Sequence, residues 1–173
     1  MPLKPQDSPL GTFLKALREE GIDCILVGAM AAIRQGAPLM TVDYDFWVQL
    51  PERQYVRLLS IVQRQGGTVR AQTLYELSDG TQVNAIFNPD GLRSFEIEFR
   101  GSPLARLEGQ LVHVLPLARV IASKRAAGRD KDLAVMPILE RTERLRRRLA
   151  SRRRLARSEA HRGATGSGRR CRR

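Results

Sequence analysis

Asp43 and Asp45 stand two apart in TVDYDFWVQL, a segment whose alternation and β-branched and aromatic content mark a strand. In a strand, residues two apart leave the same face, so both carboxylates converge while Tyr44 and Phe46 go to the other side. Such close anions repel, and one is pushed towards its protonated form unless a divalent cation bridges them. Hard oxygen donors favour Mg²⁺ or Mn²⁺. Taken alone, an Asp-x-Asp pair is a weak signal, more often the solvated rim of a strand.

Two further features bear on the pair. Upstream, the apolar run CILV ends at Gly28 and a short helix begins at Ala29, an arrangement that aims free backbone N–H groups at a phosphate, or simply makes a strand-to-helix turn. Downstream, Leu117, Val120 and Ile121 form the apolar stripe of a helix, and the next position on that stripe is Lys124, followed by Arg125, Arg129 and Lys131. A cation on an inward stripe needs an anion or a route to solvent.

The elements that must position these residues follow from patterning. Leu10, Phe13, Leu14 and Leu17 give a helical stripe closed by Gly21, and IDCILVG reads as a buried strand. AMAAIRQ is a short helix stopped by Gly36 and Pro38. Pro51 opens a helix with Tyr55, Leu58, Leu59 and Val62 inward, ended by Gly66 and Gly67. TVRAQTLYELSDGTQVNAIF is a hairpin turning at Asp79-Gly80, and FEIEF and LVHVL are short strands. LARVIASKRAAG is a helix ending at Gly128, and DKDLAVMPILERTERL a second one that Pro137 should break or restart. The sum is an α+β (α/β) domain, a small mixed β-sheet flanked by helices.

Together, VGAMAAIRQGAPLMTVDYDFWV and VIASKRAAGRDKDL resemble the nucleotidyltransferase fold of the DNA polymerase beta superfamily, particularly its small bacterial stand-alone members and the abortive-infection toxins. The resemblance covers roughly residues 10–140. It implies that Gly28 and Ala29 sit at the phosphate-binding turn, that Asp43 and Asp45 hold Mg²⁺ (or Mn²⁺), and that Lys124, with Arg129 nearby, approaches a nucleoside triphosphate. It further implies transfer of a nucleoside monophosphate to an acceptor hydroxyl on RNA, a protein or a small molecule, with a cognate antitoxin as a partner of the toxin-like members.

The chain departs from that pattern twice. Ala29 stands where Gly or Ser is usual, so no hydroxyl is offered to phosphate. Asn84, in QVNAIF, stands at the strand position where the family commonly places a third catalytic carboxylate. An amide binds metal less well and takes no proton near neutrality. Hence a second reading, a degenerate member that binds nucleotide or a partner without transfer. Glu96 and Glu98, on one face of the FEIEF strand, are replacement acids or its solvated face. Asp79 and Asp90 sit in turns, His113 alternates in a strand, and Asp130 and Asp132 pair locally with Arg129 and Lys131.

Charge is unevenly spread. The chain of 173 residues carries +12, and residues 141–173 hold 14 arginines against only Glu143 and Glu159. That segment therefore accounts for the whole net charge, and residues 1–140 are neutral. We expect a nucleotidyltransferase-like domain over 1–140 and an Arg-rich tail over 141–173, helical with Ile138, Leu145, Leu149 and Ala156 on one side, then disordered from GATGSG onward. Arg146, Arg147, Arg148, Arg152, Arg153 and Arg154 would anchor nucleic acid by its phosphates; the alternative is a solvated extension without a role. Cys24 and Cys171 suggest neither disulfide nor metal framework, Cys24 being core. With no apolar run near the roughly 18 residues of a membrane span and no export signal, the expected location is the cytoplasm.

Overall fold

The computed structural model describes residues 8–166. Helix α1 (Pro9–Glu19) starts where Ser8 accepts a hydrogen bond from the Gly11 N–H, and its apolar stripe, Leu10, Phe13, Leu14 and Leu17, is buried. Strand β1 (Cys24–Val27) is almost wholly buried, as an interior strand with apolar residues on both faces should be, and leads directly into α2 (Gly28–Ile33). Strand β2 (Asp43–Val48) changes along its length, from half-buried Asp43, Tyr44 and Asp45 to buried Phe46, Trp47 and Val48. Its acidic end is therefore partly open to solvent and its apolar end lies in the core.

After β2 come α3 (Val56–Arg64), β3 (Thr68–Val69), β4 (Leu74–Glu76) and β5 (Gln82–Ile86). β4 and β5 form the hairpin expected at Asp79-Gly80: Gly80 takes φ 86° and the Thr81 N–H donates to Asp79 Oδ1 at 3.0 Å. Then follow α4 (Phe95–Gly101), β6 (Leu104–Leu107), β7 (Gln110–Val114), α5 (Leu117–Ala127) and α6 (Asp130–Gly166). Among the described residues, seven strands make one mixed sheet in the order β3-β4-β5-β2-β1-β7-β6. β1 and β2 are antiparallel, whereas β2 runs parallel to β5 and β1 parallel to β7. The buried cluster of Ile25, Leu26, Phe46, Leu58, Ile61, Leu115, Leu117 and Leu139 ties the sheet to its helices and supplies most of the driving force for folding.

Three expectations are corrected. FEIEF is helix α4, not a strand: Phe95 and Phe99, one turn apart, stack at 5.3 Å, while Ile97, which alternation would have buried, is 47% exposed. β6 was not expected at all. Pro137 does not break the last helix; α6 runs through it, with the proline itself exposed and its neighbours Met136 and Leu139 buried. That packing offsets the one backbone hydrogen bond a helical proline forfeits. α6 continues past 156 to Gly166, and residues 167–173, including Cys171, lie outside the described residues.

Candidate active site

Register explains why three polar side chains meet. Asp45 lies opposite Val27 on β1 and opposite Asn84 on β5, and Asp43 lies two residues back, opposite Gln82. Asn84 Nδ2 donates to Asp45 Oδ1 at 3.0 Å. Val27 passes the chain straight to Gly28, whose φ of 65° belongs to the left-handed region, and a Cβ built on Gly28 would collide with Asp45 Oδ2. Glycine is required there twice over, once for its backbone and once for the carboxylate resting against it.

The electrostatics suit a cation bound between the two carboxylates. Burial raises the Asp45 pKa above its ordinary value and the neighbouring Asp43 charge raises it further; the Asn84 hydrogen bond, Lys124 and Lys131 pull it back only in part. Asp43 Oδ1 is buried without a hydrogen-bond partner, an exposed cost that a ligand would remove. Among the described residues no group of three or more His, Cys, Asp and Glu converges as a metal cage. Two carboxylates suffice for Mg²⁺, which characteristically keeps waters and takes further oxygens from substrate phosphates. The donor set fits such an ion, which Asp43 and Asp45 would hold, with the Asn84 amide beside them.

These residues line a cleft of about 630 Å³ that also takes in Gly28, Ala29, Lys124 and Arg129. All the residues expected in catalysis or nucleotide binding thus line one space. Lys124 comes from α5, whose C-terminus Gly128 caps at φ 62°, and Arg129 from the turn that follows. Both are anchored on Asp132 in the first turn of α6: Lys124 Nζ to Asp132 Oδ1 and Arg129 Nε to Asp132 Oδ2, each at 2.6 Å. Asp132 is 1% exposed. Burial alone would raise its pKa, but the hydrogen bonds from Lys124 and Arg129 outweigh it and hold the carboxyl below its ordinary value. Lys131 and Asp90 line the same cleft. The turn signal of NPDG accounts for Asp90 without the cleft, and Arg129, three residues before Asp132, accounts for that carboxylate without Lys124, eight residues earlier.

Other sequence candidates are elsewhere. Glu96 and Glu98 do not replace the third carboxylate, because a helix sends them apart. Glu96 is exposed and accepts from Gln49, whereas Glu98, 1% exposed, is held by Arg93 and Arg119. Burial works against the Glu98 charge, and the Arg119 and Arg93 hydrogen bonds prevail, lowering its pKa. His113 bonds through Nδ1 to the Ser102 carbonyl and packs on Phe99. Cys24 is half-buried against the core, its thiol pushed up to about 12 mainly by burial. In the basic segment, Arg146 donates to Gln35 and Arg147 to Glu143, while Arg148, Arg152, Arg153 and Arg154 are exposed. No helix among the described residues is long and apolar enough to cross a membrane.

No protein-family model matches the sequence, and no curated protein matches it. Solved structures do. The antibiotic-resistance factor ANT(2'')-Ia in solution superposes with a TM-score of 0.51 at 18% identity, over 88% of this chain and 95% of that one. An antigenic nucleotidyltransferase-like protein from Paracoccidioides brasiliensis gives 0.50 at 16% identity, over 80% of this chain and 78% of that one. The chain has the nucleotidyltransferase fold, with the expected mixed sheet and flanking helices.

Proposed function

We propose that this chain, having the nucleotidyltransferase fold, transfers a nucleoside monophosphate from a nucleoside triphosphate to an acceptor hydroxyl. The observation that carries the reading is that one cleft is lined both by the carboxylates of Asp43 and Asp45 and by the cations Lys124, Arg129 and Lys131. A triphosphate with a divalent ion is complementary to both.

In this reading Asp43 and Asp45 hold Mg²⁺, which when bound screens the phosphate charge and stabilises the attacking and leaving oxygens. Gly28 leaves the space in which Asp45 lies. Lys124 and Arg129, fixed by Asp132, orient the triphosphate for in-line attack. The acceptor oxygen forms a bond to the α-phosphorus, the bond from that phosphorus to the bridging oxygen breaks, and pyrophosphate leaves. The hydroxyl proton goes to solvent or to a carboxylate, since Asn84 cannot take it.

Incubation with labelled nucleoside triphosphates, Mg²⁺ and candidate acceptors tests the reading. Labelling of an acceptor that disappears in the Asp43→Ala/Asp45→Ala double variant supports it; undiminished labelling by that variant overturns it.

The Asn84–Asp45 hydrogen bond favours a second reading, in which the site binds Mg²⁺-nucleotide without transferring it. Calorimetric binding with no turnover, and turnover restored in Asn84→Asp, would distinguish this state from the active one. Either reading assigns the chemistry to residues 1–140 and leaves 141–173 an accessory part.

A further inference from the structure

The structure sorts the arginines of α6 into two kinds. At about 100° per residue, Met136, Leu139 and Thr142, all buried, define the side of the helix that faces the domain. Arg146 falls on that side and is spent on Gln35, whose own amide is tied to Ala31, Leu115 and Leu117. Arg147 is spent on Glu143. On the opposite side, Arg141, Arg144, Arg148 and Arg152 follow one another by three, four and four residues and so form a single exposed row within an arc of about 80°. None of the four has a hydrogen bond or ion pair among the described residues.

We infer that this outward row is a binding surface for the phosphate backbone of double-stranded nucleic acid. Four free guanidinium groups directed away from the protein have no intramolecular partner, and their planar forks match phosphate oxygens. At a rise of about 1.5 Å per residue the row extends over roughly 16 Å, a length along which a duplex presents about one charge every 1.7 Å. Neighbouring residues exclude the other polyanionic surface, a lipid bilayer. Leu145, Leu149 and Ala156 make an apolar arc of only about 40°, short of the roughly 100° an amphipathic helix buries, exposed Leu155 falls among the arginines of the row, and Arg153, Arg154 and Arg157 occupy the remaining sides. No aromatic residue lies beyond Phe99, so bases have nothing to stack on and a single strand gains no advantage. Recognition is of charge and spacing, independent of sequence. The surface stands apart from the nucleotidyl-transfer reading, because none of the four arginines lines the cleft.

The test is the salt dependence of duplex binding by the full chain, read by fluorescence anisotropy with a mixed-sequence DNA or RNA duplex. The Arg141→Gln/Arg144→Gln/Arg148→Gln/Arg152→Gln variant should lower the slope of log K against log salt by roughly 3 to 4, with helical circular dichroism retained because glutamine is nearly as good a helix former as arginine. Arg146→Gln/Arg147→Gln should leave the slope within one unit of the parent. An unchanged slope in the quadruple variant overturns the assignment, as does an equal loss in the double variant, which would make the effect one of bulk charge. Tighter binding to phosphatidylserine vesicles than to duplex, abolished by the quadruple substitution, would also overturn it in favour of a membrane surface.

Discussion

Asn84 and Asp45 face each other across adjacent parallel strands, and the amide Nδ2 donates to the carboxylate Oδ1 at 3.0 Å. A neutral donor therefore occupies the place from which a carboxylate would repel Asp45. The contact steadies a buried anion when no cation is bound, and it competes with a cation for the same oxygen.

Replacement of Asn84 by Asp separates these effects. Without metal, Asn84→Asp exchanges a hydrogen bond to a charged group for a like-charge contact, and stability should fall by about 2 kcal/mol. With Mg²⁺ the loss should be recovered, and nucleotidyl transfer should rise by about tenfold or more. Thermal melts with and without Mg²⁺, alongside the transfer assay, measure both. A variant no less stable without metal and no more responsive to it would show that residue 84 does not share the metal site.

Asp45 makes stability depend on pH in an unusual direction. Its carboxyl has a raised pKa in the folded protein, chiefly through burial, so the native state holds that proton more tightly than the unfolded chain does. The associated stability is present below the ordinary value of 3.8 and is lost as pH rises through the elevated folded value. Metal-free protein should thus lose stability over that interval, and Mg²⁺ should stabilise it increasingly above it. Asp45→Asn should flatten the metal-free profile and remove the Mg²⁺ response, with transfer reduced about 100-fold or more. Melting temperature against pH, with Mg²⁺ or with chelator, shows the two behaviours directly.

Gly28 tests the close approach of backbone and carboxylate. Gly28→Ala places a Cβ against Asp45 Oδ2 at a backbone φ of 65°. The backbone strain alone costs about 1–2 kcal/mol, and Asp45 must turn away from Asn84 as well. Denaturant unfolding should show a loss of at least that size, together with loss of the Mg²⁺-dependent increase in melting temperature. By contrast Gly21, also at positive φ but with open space around its position, should show the strain without the metal effect.

Much of this arrangement was visible in local patterns, and the part that was not depended on distant partners. Asp43 and Asp45 share a face because strand periodicity is local, and Gly28 followed from a strand ending at a helix start. Lys124 is legible as a cation misplaced on an apolar stripe; of the local partners expected for Asp132, Arg129 does pair with it, but its second partner, Lys124, lies across the Gly128 turn. FEIEF could not be read correctly by period alone: Phe95, Ile97 and Phe99 fit a strand, while Phe95 and Phe99 also fit one helical turn. The choice is fixed by Glu98, buried because Arg119 of α5 and Arg93 reach it, and no local window contains Arg119. The sorting of the Arg-rich segment likewise needed Gln35, 111 positions away from Arg146.

Asp132 anchors Lys124 and Arg129 and should control both stability and nucleotide affinity. Its side chain is 1% exposed and Lys124 is 14% exposed, so Asp132→Ala strands a shielded ammonium group; breaking a buried pair in this way costs about 3 kcal/mol or more. Arg129 is 61% exposed, and solvent compensates its loss. Because the Asp132 carboxyl is held below its ordinary value of 3.8, its contribution is fully present above that value and disappears as pH falls through the depressed folded value. The parent should therefore lose this stability in strongly acid solution, and Asp132→Asn should lack that part of the acid transition. Lys124→Met keeps the Arg129–Asp132 contact and much of the side-chain volume while removing the ammonium. If Asp132 fixes cations for a triphosphate, both Lys124→Met and Asp132→Asn should weaken Mg²⁺-nucleotide binding about tenfold or more, measured by calorimetry well below each variant's melting temperature. Weakened folding with unaltered nucleotide affinity in both would reduce the cluster to a purely structural clasp between α5 and α6.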